Sequence, residues 1–398
     1  MAAYASAAHS KQTPMKYPIE NKTVAIVGGG PGGLTLARIL QMNGVDVKVY
    51  ERDITRTARV QGATLNLNEE SGLLALHKAN LMEQFKAAYR PGAEKMAFVD
   101  KNANVVIEDF GGGNLQEERP EIDRGPLREL LLDSLQEGTV TWYCQFDSLE
   151  RVDGQVKLNF KNGQSHTADV VVAADGANSK IRPYITPLKP AYSGVTIVEG
   201  TIYDVESAIP RLHQLLDGGK ICVLSDSKTL FIVLKGDGSA AFYSGHKADE
   251  SWARDSGIDF SDNAQVVQWF KSEFEGWDEM WIELFEKAAS FVVRPQYCAP
   301  LDQTWEALPD LTMLGDSAHV MPPYAGEGVN MAMQDALELA ECLLSTDIAD
   351  TRSAIAAYEE SMRARVAEVG ATTMEFTDIF HSPDAISHFV EFFKTHVN

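Results

Sequence analysis

The sequence predicts an α/β fold in which a parallel-sheet domain is interrupted by an antiparallel-sheet domain and followed by a long C-terminal helix. Three observations predict it. Val24–Val27 is a wholly apolar run, as a strand buried on both faces of a parallel sheet requires. A second such run, Val170–Ala174, lies far downstream, and "DLTML" at 310–314 is a third strand of this kind. Between the last two, residues 190–295 are rich in glycine-punctuated β segments, near 195–203, 220–224, 229–234 and 240–246.

The first strand carries the sharpest signal. In "VAIVGGGPGGLTLARIL" (24–40) it runs into Gly28, Gly30 and Gly33, and then into an apolar-periodic helix. In G-x-G-x-x-G spacing the first glycine permits the tight turn, the second lets the chain approach a pyrophosphate, and the third lets the helix pack on the strand. The helix N-terminus then faces the anion. A second strand, Val45–Tyr50, ends at Glu51, 18 residues beyond Gly33, where a ribose hydroxyl needs an acceptor. An ordinary strand–helix turn is the plain alternative. The strand and acid together favour a dinucleotide site, in a Rossmann-like domain.

The remaining elements follow in order. Residues 69–90 read as an amphipathic helix, and 94–110 as a hairpin turning at Lys101–Asn104. Residues 111–120 read as a glycine-rich acidic loop. Pro126 stands in the first turn of a helix over 123–135. Strands with turns at Asp153–Gly154 and Asn162–Gly163 lead to the second apolar strand. One aromatic-rich helix is expected near 262–287, a long one over 352–380 and a shorter one over 383–396.

Bulk properties exclude several classes. The chain of 398 residues is 44% hydrophobic and 23% charged, ordinary values for a globular protein. A net charge of −22 disfavours nucleic acid and anionic membrane surfaces. No apolar run reaches transmembrane length. The cysteines (Cys144, Cys222, Cys298 and Cys342) form no C-x-x-C pair, which fits a reducing, cytoplasmic compartment and argues against a metal site. Residues 1–20 read as a disordered leader, with Met15 as an alternative start.

Two further segments, "DGANSKIR" (175–182) and "GDSAHVMPPYAGEGVN" (315–330), follow the glycine fingerprint in order. Together the three resemble the motifs of the class A, aromatic-hydroxylase-type FAD monooxygenases, over most of residues 22–345. "YERD", "EIDRGPLRELLLDSL" and the 315–330 segment look most similar to the tetracycline-inactivating flavin monooxygenases. The resemblance implies an FAD-binding domain over 21–75, 111–185 and 296–345. It implies a substrate domain over 76–110 and 186–295, and C-terminal helices over 346–398.

The resemblance implies the roles of individual residues. Glu51 accepts from the adenosine ribose, with Arg52 beside it. Arg124 reaches the flavin's linking chain, and Arg128, one turn on, is the alternative. Asn66 faces the flavin, and Asp316 meets the ribityl or pyrophosphate region unless it is only a turn cap. Pro323, Gly326, Gly328, Val329 and Asn330 form the loop and helix start at the isoalloxazine. Asp175 and Arg182 bind FAD and nicotinamide or merely brace their loop as a pair. His319 reads more plainly as a packed loop histidine than as a catalyst. Candidate substrate contacts are Glu199, Phe231, Phe242, Ser244, Pro323 and Tyr324, with ordinary packing as the alternative for each. In the tetracycline-inactivating relatives the positions of Glu199 and Phe242 carry Gln and His, so the polar readout of substrate is altered here.

The implied activity is a hydroxylation of a polycyclic phenol or enol with NADPH or NADH as transient reductant and O2 as co-substrate. A flavin C4a-hydroperoxide does the chemistry, so no side chain is assigned as catalytic. Tetracyclines are the sharp substrate candidate, and another aromatic or polyketide metabolite the broader one. A flavin reductase, a halogenase (whose W-x-W-x-I-P signature is missing) and a non-catalytic flavin protein are the competing readings. The long helix over 352–380 is expected to bridge the two domains, favouring a monomer over a dimer.

Overall fold

The computed structural model describes residues 17–58, 62–109 and 120–396. Thr23–Val27 is the central strand of a five-stranded parallel sheet. The order is Leu311–Met313, Val170–Ala173, Thr23–Val27, Asp46–Tyr50 and Val140–Thr141. The three apolar strands read from the sequence are thus adjacent. They are buried on both faces, which is why they show no alternation. The glycine-fingerprint helix, Pro31–Met42, packs against the later helix Gly328–Leu343. The crossing is close: a Cβ on Gly32 would lie 2.7 Å from the carbonyl oxygen of Ala332.

A three-stranded antiparallel meander (Phe146–Val152, Gln155–Phe160, Ser165–Ala168) turns at Asp153–Gly154 and Asn162–Gly163, as expected. Asp153 and Gly154 both have positive φ, 51° and 82°, which suits the tight hairpin.

The β-rich segments form a seven-stranded sheet. Its order is Ser290–Cys298, Ala191–Ile202, Ala240–Lys247, Lys228–Leu234, Lys220–Ser225, Met96–Val99 and Val105–Asp109. It departs from a purely antiparallel sheet at one place, where Met96–Val99 runs parallel to Lys220–Ser225. One face is covered by helices and an aromatic core that includes Phe242, Phe270, Trp281 and Phe285. The opposite face carries a row of paired positions, Glu199, Tyr243, Phe231, Cys222 and Phe98. The long helix, Thr351–Phe380, joins the two assemblies. Ile355, Tyr358, Met362 and Val366 enter the core of the parallel sheet, while Phe376 and Phe380 pack against that second face.

Three expectations are corrected. The helix near 262–287 is two helices, Asn263–Glu273 and Glu279–Glu286, interrupted at Gly276 with φ 82°. Asp262 and Asp278 cap their N-termini by accepting from the amides of Ala264 and Met280. The helix over 69–90 is broken at Asn80, where φ is 56°, and begins with a π turn over Glu69–Leu73. Pro18 and Ile19 do not belong to the expected disordered stretch: Ile19 is buried in the core, and the Pro18 carbonyl accepts from Thr351 Oγ1 at 3.1 Å. The loop expected over 111–120 lies outside the described residues except for Pro120. Among the described residues no helix is long and apolar enough to cross a membrane.

A Cβ on Gly33 would sit 2.3 Å from the Gly28 carbonyl oxygen, whereas one on Gly30 meets nothing within 4 Å. Gly33→Ala is therefore expected to cost about 2 kcal/mol in denaturant unfolding. Gly30→Ala is expected to change stability by less than about 0.5 kcal/mol. Equal losses in the two variants would contradict this division of roles.

Candidate active site

The site begins at the turn after the first strand. Gly28 has φ 117°, and a Cβ there would lie 2.1 Å from the Ala174 carbonyl oxygen, so only glycine closes this turn. Gly30 is the residue before the helix and has open space around it. The amide of the intervening Gly29 donates to Glu51 Oε2 at 2.6 Å, and its carbonyl accepts from Arg128 Nε at 3.1 Å. Glu51 is buried, and its other oxygen accepts from the Asp53 amide at 2.9 Å. Arg52 is exposed beside it.

The structure separates the two arginines that the sequence left open. Arg128 is buried and fully committed. Beyond Gly29 it donates to the Arg56 carbonyl at 3.0 Å and to Asp53 Oδ2 at 3.3 Å, and it lies over the Trp142 ring. Arg124 lines the same recess as Gly29, Gly30, Pro31 and Glu51. Among the described residues its side chain makes no hydrogen bond or ion pair, so it is the arginine left to meet a ligand.

The 315–330 segment supplies the other wall. Asp316 is exposed at the start of a single helical turn, Asp316–His319. Its neighbours are held on all sides. The Gly315 amide donates to Asp335 Oδ2 at 2.8 Å, and Ser317 Oγ donates to Asp175 Oδ1 at 3.1 Å. Arg182 donates to the carbonyls of Ser317 and Ala318 and to Gln303 Oε1. Asp175 and Arg182 therefore do not form the expected pair. Each braces the Asp316 turn separately, and burial lowers the Arg182 pKa from its ordinary value.

Helix Gly328–Leu343 has no side chain capping its N-terminus, so its first amides are open to an acceptor. Val329 and Asn330 are buried in its first turn. The Asn330 amide group is not free for a cofactor. Its oxygen accepts from the Asn68 amide at 2.9 Å, and its nitrogen donates to the Asn66 carbonyl at 3.2 Å. Asn330 thus staples strand Thr64–Asn66 to this helix. The Asn66 side-chain oxygen then lies 3.7 Å from where a Gly326 Cβ would be, and Pro323 is exposed nearby in sequence.

Two substrate candidates fall on the wrong face of the seven-stranded sheet. Phe242 is buried under the helices, its ring centroid 4.9 Å from that of Phe285, and Ser244 lies fully buried on the same side. Side chains alternate along a strand, so a one-residue error in phase moves a residue to the opposite face. The residue facing the cofactor side is Tyr243, which sequence reasoning missed. A Cβ on Gly62 would be 3.8 Å from both the Tyr243 hydroxyl and Arg124 Nε. Burial, and next the Glu199 carboxylate, push the Tyr243 pKa up to about 12, so it remains a hydrogen-bond donor throughout the working range.

The other candidates stand on this face or its edge. Glu199 is ion-paired with Arg294, a second missed residue. Phe231 is half-buried against Tyr324 and Phe380, with centroids 6.3 and 5.7 Å away. Tyr324 hydrogen-bonds His381 Nε2 at 2.7 Å, and His381 Nδ1 reaches the Ser227 carbonyl at 3.1 Å. A carbonyl only accepts, so Nδ1 carries the proton and the Tyr324 hydroxyl donates to Nε2. His319 is buried against Asp335 at 2.6 Å, the packed role read from the sequence. No group of side chains that would hold a metal ion occurs among the described residues.

These features fit a flavin dinucleotide. The turn at Gly30 is open, Glu51 is a buried acceptor, Arg124 has no hydrogen-bond or ion-pair partner among the described residues, Asp316 is exposed, and the helix start at Gly328 has no side-chain cap. Arg124→Met is expected to leave unfolding stability within about 0.5 kcal/mol while weakening FAD binding about tenfold. Arg128→Met is expected to cost about 3 kcal/mol, because it strips buried acceptors of their donor. FAD fluorescence titration and chemical denaturation of both variants check the contrast, and the reverse ranking would contradict it.

Comparison with known proteins identifies the family and the fold. Residues 21–373 match the family model described as FAD binding domain. The 3-amino-4-hydroxybenzoate 2-monooxygenase PtmB3 of Streptomyces platensis is 28% identical over 384 residues, covering 91% of this chain and 89% of that protein. Klebsiella pneumoniae HpxO, solved with FAD and uric acid, has a TM-score of 0.74 at 19% identity, over 95% of this chain and 93% of its own. Tetracycline destructase Tet(55) has a TM-score of 0.71 at 20% identity, over 91% and 90%. At such identities the two structures share the fold with this chain and nothing finer. With the matched model extending from the first strand into the long C-terminal helix, the chain belongs to the FAD-binding-domain family of class A flavin monooxygenases.

Proposed function

We propose that the protein is an FAD-dependent monooxygenase that uses NAD(P)H and O2 to hydroxylate a polycyclic phenol or enol. The observation that carries this reading is the meeting of two surfaces. The dinucleotide side ends at Arg124 and Gly62, and there it adjoins a sheet face presenting Tyr243, Phe231 and Glu199. When bound, FAD supplies the redox chemistry: electrons are accepted from the nicotinamide and one atom of O2 is delivered to the substrate.

The chain's own residues bind, orient and dry the site. Arg124 and the open amides after Gly30 and Gly326 hold the anionic cofactor, and the uncapped helix start favours negative charge at that rim. Phe231 and the Tyr324 ring offer flat apolar contact to an aromatic substrate. Tyr243 donates to a substrate oxygen, and Glu199 accepts from a substrate N–H or O–H. The aromatic side chains Phe231, Tyr324 and Phe380 exclude water from this side of the site, which protects reduced oxygen species from wasteful breakdown. The sequence holds one glycine fingerprint, so the nicotinamide is expected to dock transiently rather than in a domain of its own.

Tetracyclines fit as polycyclic enols, and the fold shared with Tet(55) supports testing them. Glu199 favours an alternative, a different aromatic or polyketide metabolite, because the resemblance implies Gln at that position for the drug. FAD-loaded protein should be supplied with NADPH or NADH in air, with tetracyclines, polyketide phenols and aminohydroxybenzoates in turn. Substrate-stimulated oxidation with one oxygen added to a multi-ring compound is expected. Stimulation by single-ring compounds alone would overturn the polycyclic assignment, and tight FAD with no stimulated turnover would point to a non-catalytic flavoprotein. Tyr243→Phe is expected to lower kcat/KM about tenfold with unchanged FAD affinity. An unaltered kcat/KM would remove Tyr243 from the substrate site.

A further inference from the structure

A buried charge cluster lies behind the Asp316 turn. Asp335, on helix Gly328–Leu343, is fully buried. Its Oδ2 accepts from the Gly315 amide at 2.8 Å and contacts His319 Nε2 at 2.6 Å. Its Oδ1 accepts from Arg365 of the long C-terminal helix at 2.7 Å, and Arg365 also donates to Glu338 at 2.6 Å. Asp335 alone touches the Gly315 amide, and His319, Arg365 and, through Arg365, Glu338 are linked to it by way of Asp335; the Gly315 φ of 60° fixes the direction of the next residue. That residue is Asp316.

Charge balance distinguishes this cluster from a passive brace. Asp335 and Glu338 contribute two negative charges, and Arg365 one positive. A protonated His319 makes the set neutral, and its loss leaves a net negative charge buried behind an anion site. The other groups around the turn are Asp316 itself, Arg182 on the carbonyls of Ser317 and Ala318, and the Tyr358 hydroxyl, which donates to the Met313 carbonyl. None of these supplies a second cation to Asp335 in place of His319. Burial works against a charged imidazole, but Asp335 and then Asp316 outweigh it and raise the His319 pKa. Burial likewise opposes the Asp335 carboxylate, yet His319, Arg365 and the Gly315 amide hold its pKa down.

We propose that Arg365 and His319 are positioning residues for the dinucleotide site: through Asp335 they fix the Gly315–Asp316 turn, and the protonated state of His319 is the one that binds FAD tightly. This inference rests on the FAD reading of the site. The sign follows from linkage. His319 is protonated below its raised pKa, so FAD affinity is full there and falls as pH rises through that value.

The test is FAD affinity, read by flavin fluorescence from about pH 6 to about pH 9, for the unaltered protein and three variants. The unaltered protein is expected to weaken about tenfold across this range. His319→Gln keeps a hydrogen-bonding side chain beside Asp335 without the charge, and should bind at the weaker level with no such pH dependence. Arg365→Met should weaken FAD about tenfold, and Arg365→Lys should recover most of the loss. Should Arg365→Met fail to fold, the His319→Gln pH profile decides the matter alone. A His319→Gln variant that keeps the original pH dependence would overturn the proposal, as would FAD binding by the unaltered protein that does not change with pH. Absence of FAD binding at every pH would instead overturn the reading of the site itself.

Discussion

The backbone of Gly29 is the point on which the glycine turn depends. Its N–H is bound by one buried charge, Glu51, and its C=O by another, Arg128. Buried charges destabilise a fold unless they are hydrogen-bonded, and here the turn itself meets that need. In return, the turn is tied to the end of the second strand and to the helix Arg124–Asp133. The turn is therefore held in place, and Arg124, one helical turn from Arg128, has no hydrogen-bond or ion-pair partner among the described residues.

The same logic of shared anchoring extends across the molecule. The long C-terminal helix touches both sheets, and its end places His381 against Tyr324. Asn330 ties strand Thr64–Asn66 to the helix that follows the 322–328 loop. Direct links add to these common supports: Asp123, the residue before helix Arg124–Asp133, accepts from the Gly236 amide at 2.8 Å, and Glu121 is ion-paired with Lys220 of the seven-stranded sheet.

The parallel sheet was legible because strands buried on both faces are apolar without interruption, and because glycine spacing carries its own steric meaning. The long helix was legible from its unbroken periodicity. What resisted reading was phase and direction. In "AAFYSGHK" both faces of the strand are covered, so hydrophobicity does not say whether Phe242 or Tyr243 faces the cofactor. Parity with Phe231, once the two strands are paired, decides it. The helix expected over 262–287 failed because aromatic burial continues through Trp277 and Trp281 on both sides of the break at Gly276. The choice between Arg124 and Arg128 needed side-chain geometry. The Asp335 cluster joins residues 315, 319, 335 and 365, a separation no local pattern reports.

In the proposed reaction an oxygen atom passes from O2 to the substrate within this fold. Isotopically labelled O2, supplied to FAD-loaded protein with NADPH and a substrate that stimulates turnover, tests it most directly. The product is expected to carry one labelled oxygen atom, with the second appearing in water. Product oxygen drawn from unlabelled water, or reduced nicotinamide consumed with no labelled product for any phenol or enol tried, would contradict it.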